Sequence, residues 1–171
     1  MNKLGRVGID LAKNVFQLHG VDRHGESAWR RRSTRDKWLK VLLDKVEPDC
    51  VIGMEACTGA HHWARDLQAR GFTVKLMAPQ FVKPYVKSNK NDANVAEAIC
   101  EAMRRPNMRY VAVKTVEKQD IQATHRIRSE LIGHRTAKAN QIRGLVAGYG
   151  LVAPLQKARL RAAVWAWVIS F

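Results

Sequence analysis

Three acidic residues stand where a carboxylate could do chemistry. Asp10 ends the apolar run "RVGI" (6–9), Glu55 ends "CVIGM" (50–54), and Asp92 opens "DANVAEAICEAMRR" (92–105). A carboxylate leaving a core strand is costly to desolvate unless something positive meets it. In open α/β sheets the strand ends are where ligands bind. Oxygen donors from two strand ends and one helix start suit Mg²⁺ or Mn²⁺. Two such ions about 4 Å apart can activate a nucleophile and stabilise a leaving oxygen in phosphodiester chemistry. Each acid also has a plainer reading. Asp92 can be an ordinary N-cap, Asp10 can cap a turn, and Glu55 can cap the helix that follows.

Other chemistries find less support. His61 and His62 are adjacent, so on a helix their side chains diverge by about 100°, and no second pair lies at zinc-ligand spacing. Cys57 follows Glu55 by two residues, but no His or Asp pattern makes it a nucleophile. "EACTGAHH" reads instead as small residues that let a helix pack close to a sheet. There is no Walker-type glycine loop. Three cysteines, Cys50, Cys57 and Cys100, form no CxxC pair and fit free thiols in a reducing cytoplasm. No signal peptide and no apolar run of membrane-spanning length is visible.

The elements that must position the acids follow from periodicity. "RVGI", "VFQLHGV" (15–21) and "ESAWRRR" (26–32), with a turn at "DRHG", predict an antiparallel meander. "STRDKWLKVLLDKV" (33–46) predicts an amphipathic helix capped by Ser33 or Thr34, with Trp38, Leu39, Leu42, Leu43 and Val46 on one face. "CVIGM" is a buried strand, residues 59–71 a helix stopped by Gly71, and "FTVKLM" (72–77) another strand. Residues 78–91 form a basic connector into the helix at 92–105, and "RYVAV" (109–113) a short strand. Alternating strands and helices predict a mixed α/β sheet. From Thr115 to about Ala147 a long helix is expected. Ile121, Leu131, Ile142 and Leu145 fall on a rough heptad that Thr124, Arg128, Arg135 and Lys138 interrupt.

The 171 residues suffice for a real core. With 30 Lys and Arg against 15 Asp and Glu, the net charge is +15, and such a field favours polyanions, nucleic acid first. Lys83, Lys87 and Lys90 surround Tyr85 ahead of Asp92, and Arg126, Arg128, Arg135, Lys138 and Arg143 line the long helix. Charge runs are commonly just solvated faces. Here the bias persists from Lys114 to the end, with ten basic residues against Glu117, Asp120 and Glu130, which predicts a phosphate-tracking surface.

"VGIDLAKNVFQLHG", "MEACTGAHHWARDL", "VKPYVKSNKNDANVAEAICEAMRRPNMRYVAVKT" and "HRIRSELIGHRT…NQIRGLVAGYG" together resemble the DEDD transposases of bacterial insertion sequences, over residues 5 to 154. The resemblance implies an RNase H-like domain similar to the resolvase RuvC (1–113), then a basic coiled-coil helix (114–150). It implies Mg²⁺-dependent (or Mn²⁺-dependent) transposase activity on DNA, a guiding bridge RNA, and homo-oligomers through the long helix. Its four acidic positions map onto Asp10, Glu55, Asp92 and position 95, where this chain has Val95. In a helix, 92 and 95 share a face. Activity is therefore expected to be impaired, and a non-catalytic nucleic-acid-binding remnant is the alternative. Family members continue into a domain that carries a nucleophilic serine. Residues 151–171, "LVAPLQKARLRAAVWAWVISF", read as an atypical tail, expected of a truncation or a shifted reading frame. "GIDLAK" also loosely resembles the first phosphate loop of actin-like ATPases, but Ala12-Lys13-Asn14 lacks the expected hydroxyl residues.

Overall fold

The computed structural model describes residues 3–86 and 92–169, apart from the side chains of Asp92 and Ala93. The chain divides into two compact units, 1–115 and 116–171. The first is a six-stranded mixed sheet flanked by helices, the α/β arrangement of an RNase H-like fold. Its strands are β1 (Leu4–Asp10), β2 (Val15–Asp22), β3 (Ser27–Thr34), β4 (Val51–Glu55), β5 (Thr73–Met77) and β6 (Tyr110–Val111), in the order β3-β2-β1-β4-β5-β6. β1, β2 and β3 pair antiparallel, as the meander predicts. β1–β4 and β4–β5 are parallel, and β6 closes the edge antiparallel to β5.

Alternation along the central strands divides the residues between two faces. Val7, Ile9, Ile52, Met54, Val74 and Leu76 enter one core. Against them pack α1 (Trp38–Leu43) and α2 (Ala60–Ala69). The rings of Phe16, Trp38 and Trp63 meet there, with centroids 4.8 to 6.0 Å apart. Ala60 and Ala64 are fully buried, so small residues do bring α2 close to the sheet. The opposite face is covered by α4 (Asp92–Met103), with Val21, Met77, Val82, Val95, Ile99 and Met103 in its core.

Several local expectations are corrected. Ser33 and Thr34 do not cap a helix. They stay in β3, paired with Phe16 and Val15, and ladder pairing claims their backbone. The helix shrinks to Trp38–Leu43, its N-cap is Lys37 without a side-chain bond, and Leu43 is exposed. The connector is partly structured: Pro79–Val82 forms the short helix α3, with Pro79 in its first turn, and Lys83–Tyr85 a 3₁₀ turn. Lys87 and Lys90 lie outside the described residues.

In the second unit α5 runs from Val116 to Ala147 without a break, and α6 spans Lys157–Ile169. The tail is thus mostly helical. Leu160 is buried while Trp165 is exposed. Arg143 donates to the carbonyls of Pro154 and Leu155, which ties the connector back onto α5. Ile121, Ile127, Leu131, Ile142 and Leu145 remain exposed along α5.

The approach of α4 is set by two glycines. A Cβ on Gly8 would lie 2.2 Å from the backbone carbonyl oxygen of Ala96, and one on Gly53 2.5 to 2.9 Å from the side chains of Met103 and Ile99. Backbone cannot yield as a methionine can. Gly8→Ala is therefore expected to destabilise the fold by about 2–3 kcal/mol and Gly53→Ala by less, on the scale of core overpacking. Urea unfolding midpoints of the two variants check the order.

Candidate active site

Asp10 and Glu55 leave adjacent parallel strands at the same end. Ile9 is the register partner of Met54, so the next position along both strands pairs Asp10 with Glu55. Parallel neighbours in register project to one face, across an inter-strand gap of about 4.8 Å. That face is the one under α4, because Gly8 and Gly53, two residues earlier on each strand, lie against it. Both acids are half-buried.

The direction of α4 follows from its contacts. Ala96 and Cys100 lie over Gly8, while Met103 borders a cleft with Leu4, Gly5 and Arg6 at the start of β1. The helix therefore runs antiparallel to β1, and its first turn sits at the carboxyl end, level with Asp10. Position 92 precedes Ala96 by four residues on the ridge that crosses β1. Position 95 precedes Ile99 on the ridge that crosses Gly53 of β4. The Asp92 side chain lies outside the described positions. The Val95 side chain is 9% exposed and belongs to the apolar cluster with Ile99 and Ala102.

The carboxylates bear on a thiol at this corner. Burial pushes the Cys57 thiol up, and the charges of Glu55 and Asp10 push it further. Cys57 is half-buried beside the acids, and its Sγ lies 3.9 Å from the Leu11 carbonyl. The backbone after Glu55 turns sharply, with the Cys57 N–H donating to the Glu55 carbonyl at 2.8 Å and Gly59 at φ 86° before α2. Sequence reasoning had set Cys57 aside; its adjacency to Glu55 was the signal that both share one corner. A raised thiol pKa makes a poor nucleophile, in keeping with that reading.

A cation would suit this corner. Two carboxylates leave adjacent strands at one end, and their charges, which add to burial in pushing the Cys57 thiol up, are of the kind a divalent ion would neutralise. Among the described residues, no three His, Cys, Asp or Glu side chains gather to hold a metal.

His61 serves the fold. His61 Nδ1 accepts the Lys114 N–H at 3.2 Å, and Arg65 donates to the Lys114 carbonyl at 2.6 Å, so α2 clamps the end of the first unit. Burial, with Lys114 and Arg65 nearby, lowers the His61 pKa. Of the basic candidates, Lys83, Arg126, Arg128, Arg135 and Lys138 are exposed. At 100° per residue, Arg128, Arg135 and Lys138 fall within about 80° on α5, and Arg126 points away. Arg143 is committed to the α5–α6 connector.

A prediction follows from Cys57. Glu55→Gln removes a negative neighbour, the thiol pKa falls, and more thiolate is present at pH 8. Iodoacetamide labelling of Cys57 should accelerate roughly two- to fivefold. Cys50 and Cys100, buried and pushed up to about 12, should stay silent. Rates read by peptide mass spectrometry check this; an unchanged Cys57 rate would contradict the juxtaposition.

Comparison with known proteins shows the family to which the chain belongs. A DEDD-type transposase family model, of the IS110 kind, matches residues 7–150. The chain is 54% identical over 150 residues to a Pseudomonas aeruginosa protein named "Probable family 20 transposase", covering 88% of this chain and 44% of that protein. It is 48% identical over 151 residues to the transposase for insertion sequence element IS1111A of Coxiella burnetii, covering 88% and 41%. It is 43% identical over 148 residues to the transposase for IS1328 of Yersinia enterocolitica, covering 86% and 44%. The chain thus spans less than half the length of these relatives. By the family match and these identities, it belongs to the DEDD transposase family of insertion sequences.

Proposed function

We propose that this chain is the catalytic-domain portion of a transposase that acts on DNA strands in insertion-sequence transposition. The observation that carries the reading is the in-register pair Asp10 and Glu55, at the carboxyl ends of adjacent parallel strands beneath the first turn of α4. Asp10, Glu55 and Asp92 would hold Mg²⁺ or Mn²⁺, which supplies Lewis acidity and an activated water for phosphodiester cleavage. The protein's own part is placement. Two strands fix two carboxylates and the helix start brings the third position to the same end. The half-buried corner keeps their charges concentrated.

The exposed cations of α5, Arg128, Arg135 and Lys138, would track phosphates and set salt-dependent affinity for DNA and for a guide RNA. The exposed Ile127, Leu131, Ile142 and Leu145 share that side of the helix and would seat a second copy. Among the described residues no helix is long and apolar enough to cross a membrane. A reducing cytoplasm suits the three free thiols.

The alternative, a nucleic-acid-binding remnant without cleavage, draws on one observation. Position 95 is filled by an apolar side chain buried in the core, so one acidic position of the family pattern is given over to packing. Losing even an outer-shell partner costs about 10–100-fold in metal affinity or activity.

The test is Mn²⁺ titration by calorimetry. A response in the wild-type chain that disappears in the Asp10→Ala, Glu55→Ala, Asp92→Ala triple variant supports the site; an identical response in both sinks it. Val95→Asp is expected to raise Mn²⁺ affinity at least tenfold. It should also lower the metal-free unfolding midpoint, because a carboxylate then enters an apolar cluster, and saturating Mn²⁺ should restore that midpoint.

A further inference from the structure

The sheet places an arginine in line with the acid pair. Asp10 is paired with Gln17 of β2, and Gln17 with Arg32 of β3. Directly opposed residues project to the same face. One transverse row therefore reads Arg32, Gln17, Asp10, Glu55, all on the side that α4 covers further down. Arg30 confirms the face: its row partner is His19, and its guanidinium reaches Glu97 of α4 at 2.8 Å. Arg31 lies between them and belongs to the other face, opposite Leu18.

Arg32 is exposed at the sheet edge, since β3 has a neighbour on one side only. Among the described residues no carboxylate pairs with it, whereas Arg30 is committed to Glu97. Two strand spacings, about 10 Å, separate its backbone from that of Asp10. A phosphate-bearing strand approaching two carboxylates meets repulsion, and a guanidinium in the same row offsets it. Arginine suits the task because its planar fork donates two parallel bonds to phosphate oxygens. Gln17, half-buried between the two, adds an amide donor. The competing explanation is that edge strands commonly carry charge to deter edge pairing. That role would make Arg31 and Arg32 equivalent.

We infer that Arg32 is a positioning residue: it grips a backbone phosphate and lays a DNA strand across the row, from the β3 edge towards Asp10 and Glu55. This rests on the strand-cleaving reading of the acid pair but is testable without metal. Binding of a fluorescein-labelled DNA duplex is measured by anisotropy in EDTA between 50 and 200 mM salt. Arg32→Ala should weaken binding about three- to tenfold and reduce the salt slope by about 0.9, the value of one phosphate contact. Arg32→Lys should restore most of the slope. Arg31→Ala, on the opposite face, should leave the slope as in the wild-type chain, and circular-dichroism midpoints show whether each variant is folded. Equal losses in Arg31→Ala and Arg32→Ala, or none in Arg32→Ala, would overturn the inference. Mn²⁺ binding that survives in Arg32→Ala would then leave the metal site standing on its own. A wild-type chain that does not bind duplex in a salt-dependent way would overturn both readings.

Discussion

Close contact between α4 and the sheet, made possible by Gly8 and Gly53, governs the geometry of the whole first unit. Neither position has room for a Cβ. With side chains there, the helix would ride higher, and the Val95–Ile99–Met103 ridge would lose its packing against the sheet. The seated helix also fixes the candidate site. Its register over Gly8 puts its first turn level with the carboxyl ends of β1 and β4. Core packing and site assembly thus rest on the same contact. The Arg30–Glu97 ion pair adds a tether from the edge strand to α4. At 60% and 24% exposure it is screened by solvent, so it steers orientation more than it stabilises.

Charge is distributed with equal consequence. The chain carries +15 overall, yet at the corner of Asp10 and Glu55 burial, and then the two carboxylate charges, push the Cys57 thiol up. A basic protein is drawn to a polyanion without preference for sequence or place. A small negative corner within that field repels phosphate locally unless a cation stands between. Attraction over the body and selectivity at one point are therefore separate properties. Under the proposed function they would reside in different residues: Arg128, Arg135 and Lys138 on α5, and Asp10, Glu55 and their row neighbours on the sheet.

Much of this was legible in the sequence, for identifiable reasons. Alternation of apolar residues in 4–34 determines the meander, and apolar runs that end in an acid mark strand ends. Asp10 and Glu55 could be named from that alone. What escaped depended on pairing between distant segments. The row through Arg32 exists only once two registers are known, so "ESAWRRR" reads as a strand without showing which arginine lines up with Asp10. Ser33 and Thr34 have the residue types of a cap, but tertiary pairing took their backbone into β3. The stripe 38–46 has helical spacing, yet six residues of helix suffice to bury Trp38 and Leu42. On α5, basic residues at heptad positions interleave with exposed Ile and Leu. Periodicity could identify the helix but not choose between a partner helix and a phosphate backbone as its occupant.

Val95 shows how fold and site compete for one position. The ridge 95–99–103 must be apolar where it crosses Gly53, because Ile99 and Met103 fill the space the glycine leaves. Position 95 is the last of that ridge before the carboxyl end, where the core gives way to the acid pair. An aspartate there would sit half in the core, stable only while a cation neutralises it. Metal binding would then be coupled to the stability of α4, as in other sites whose ligands are costly to bury when empty. Valine removes that dependence: the helix end packs whether or not a cation is present. On the proposed metal reading, the same methyl groups that help secure α4 stand where a charge would join the corner. On that reading the substitution would favour folding and nucleic-acid binding over metal loading.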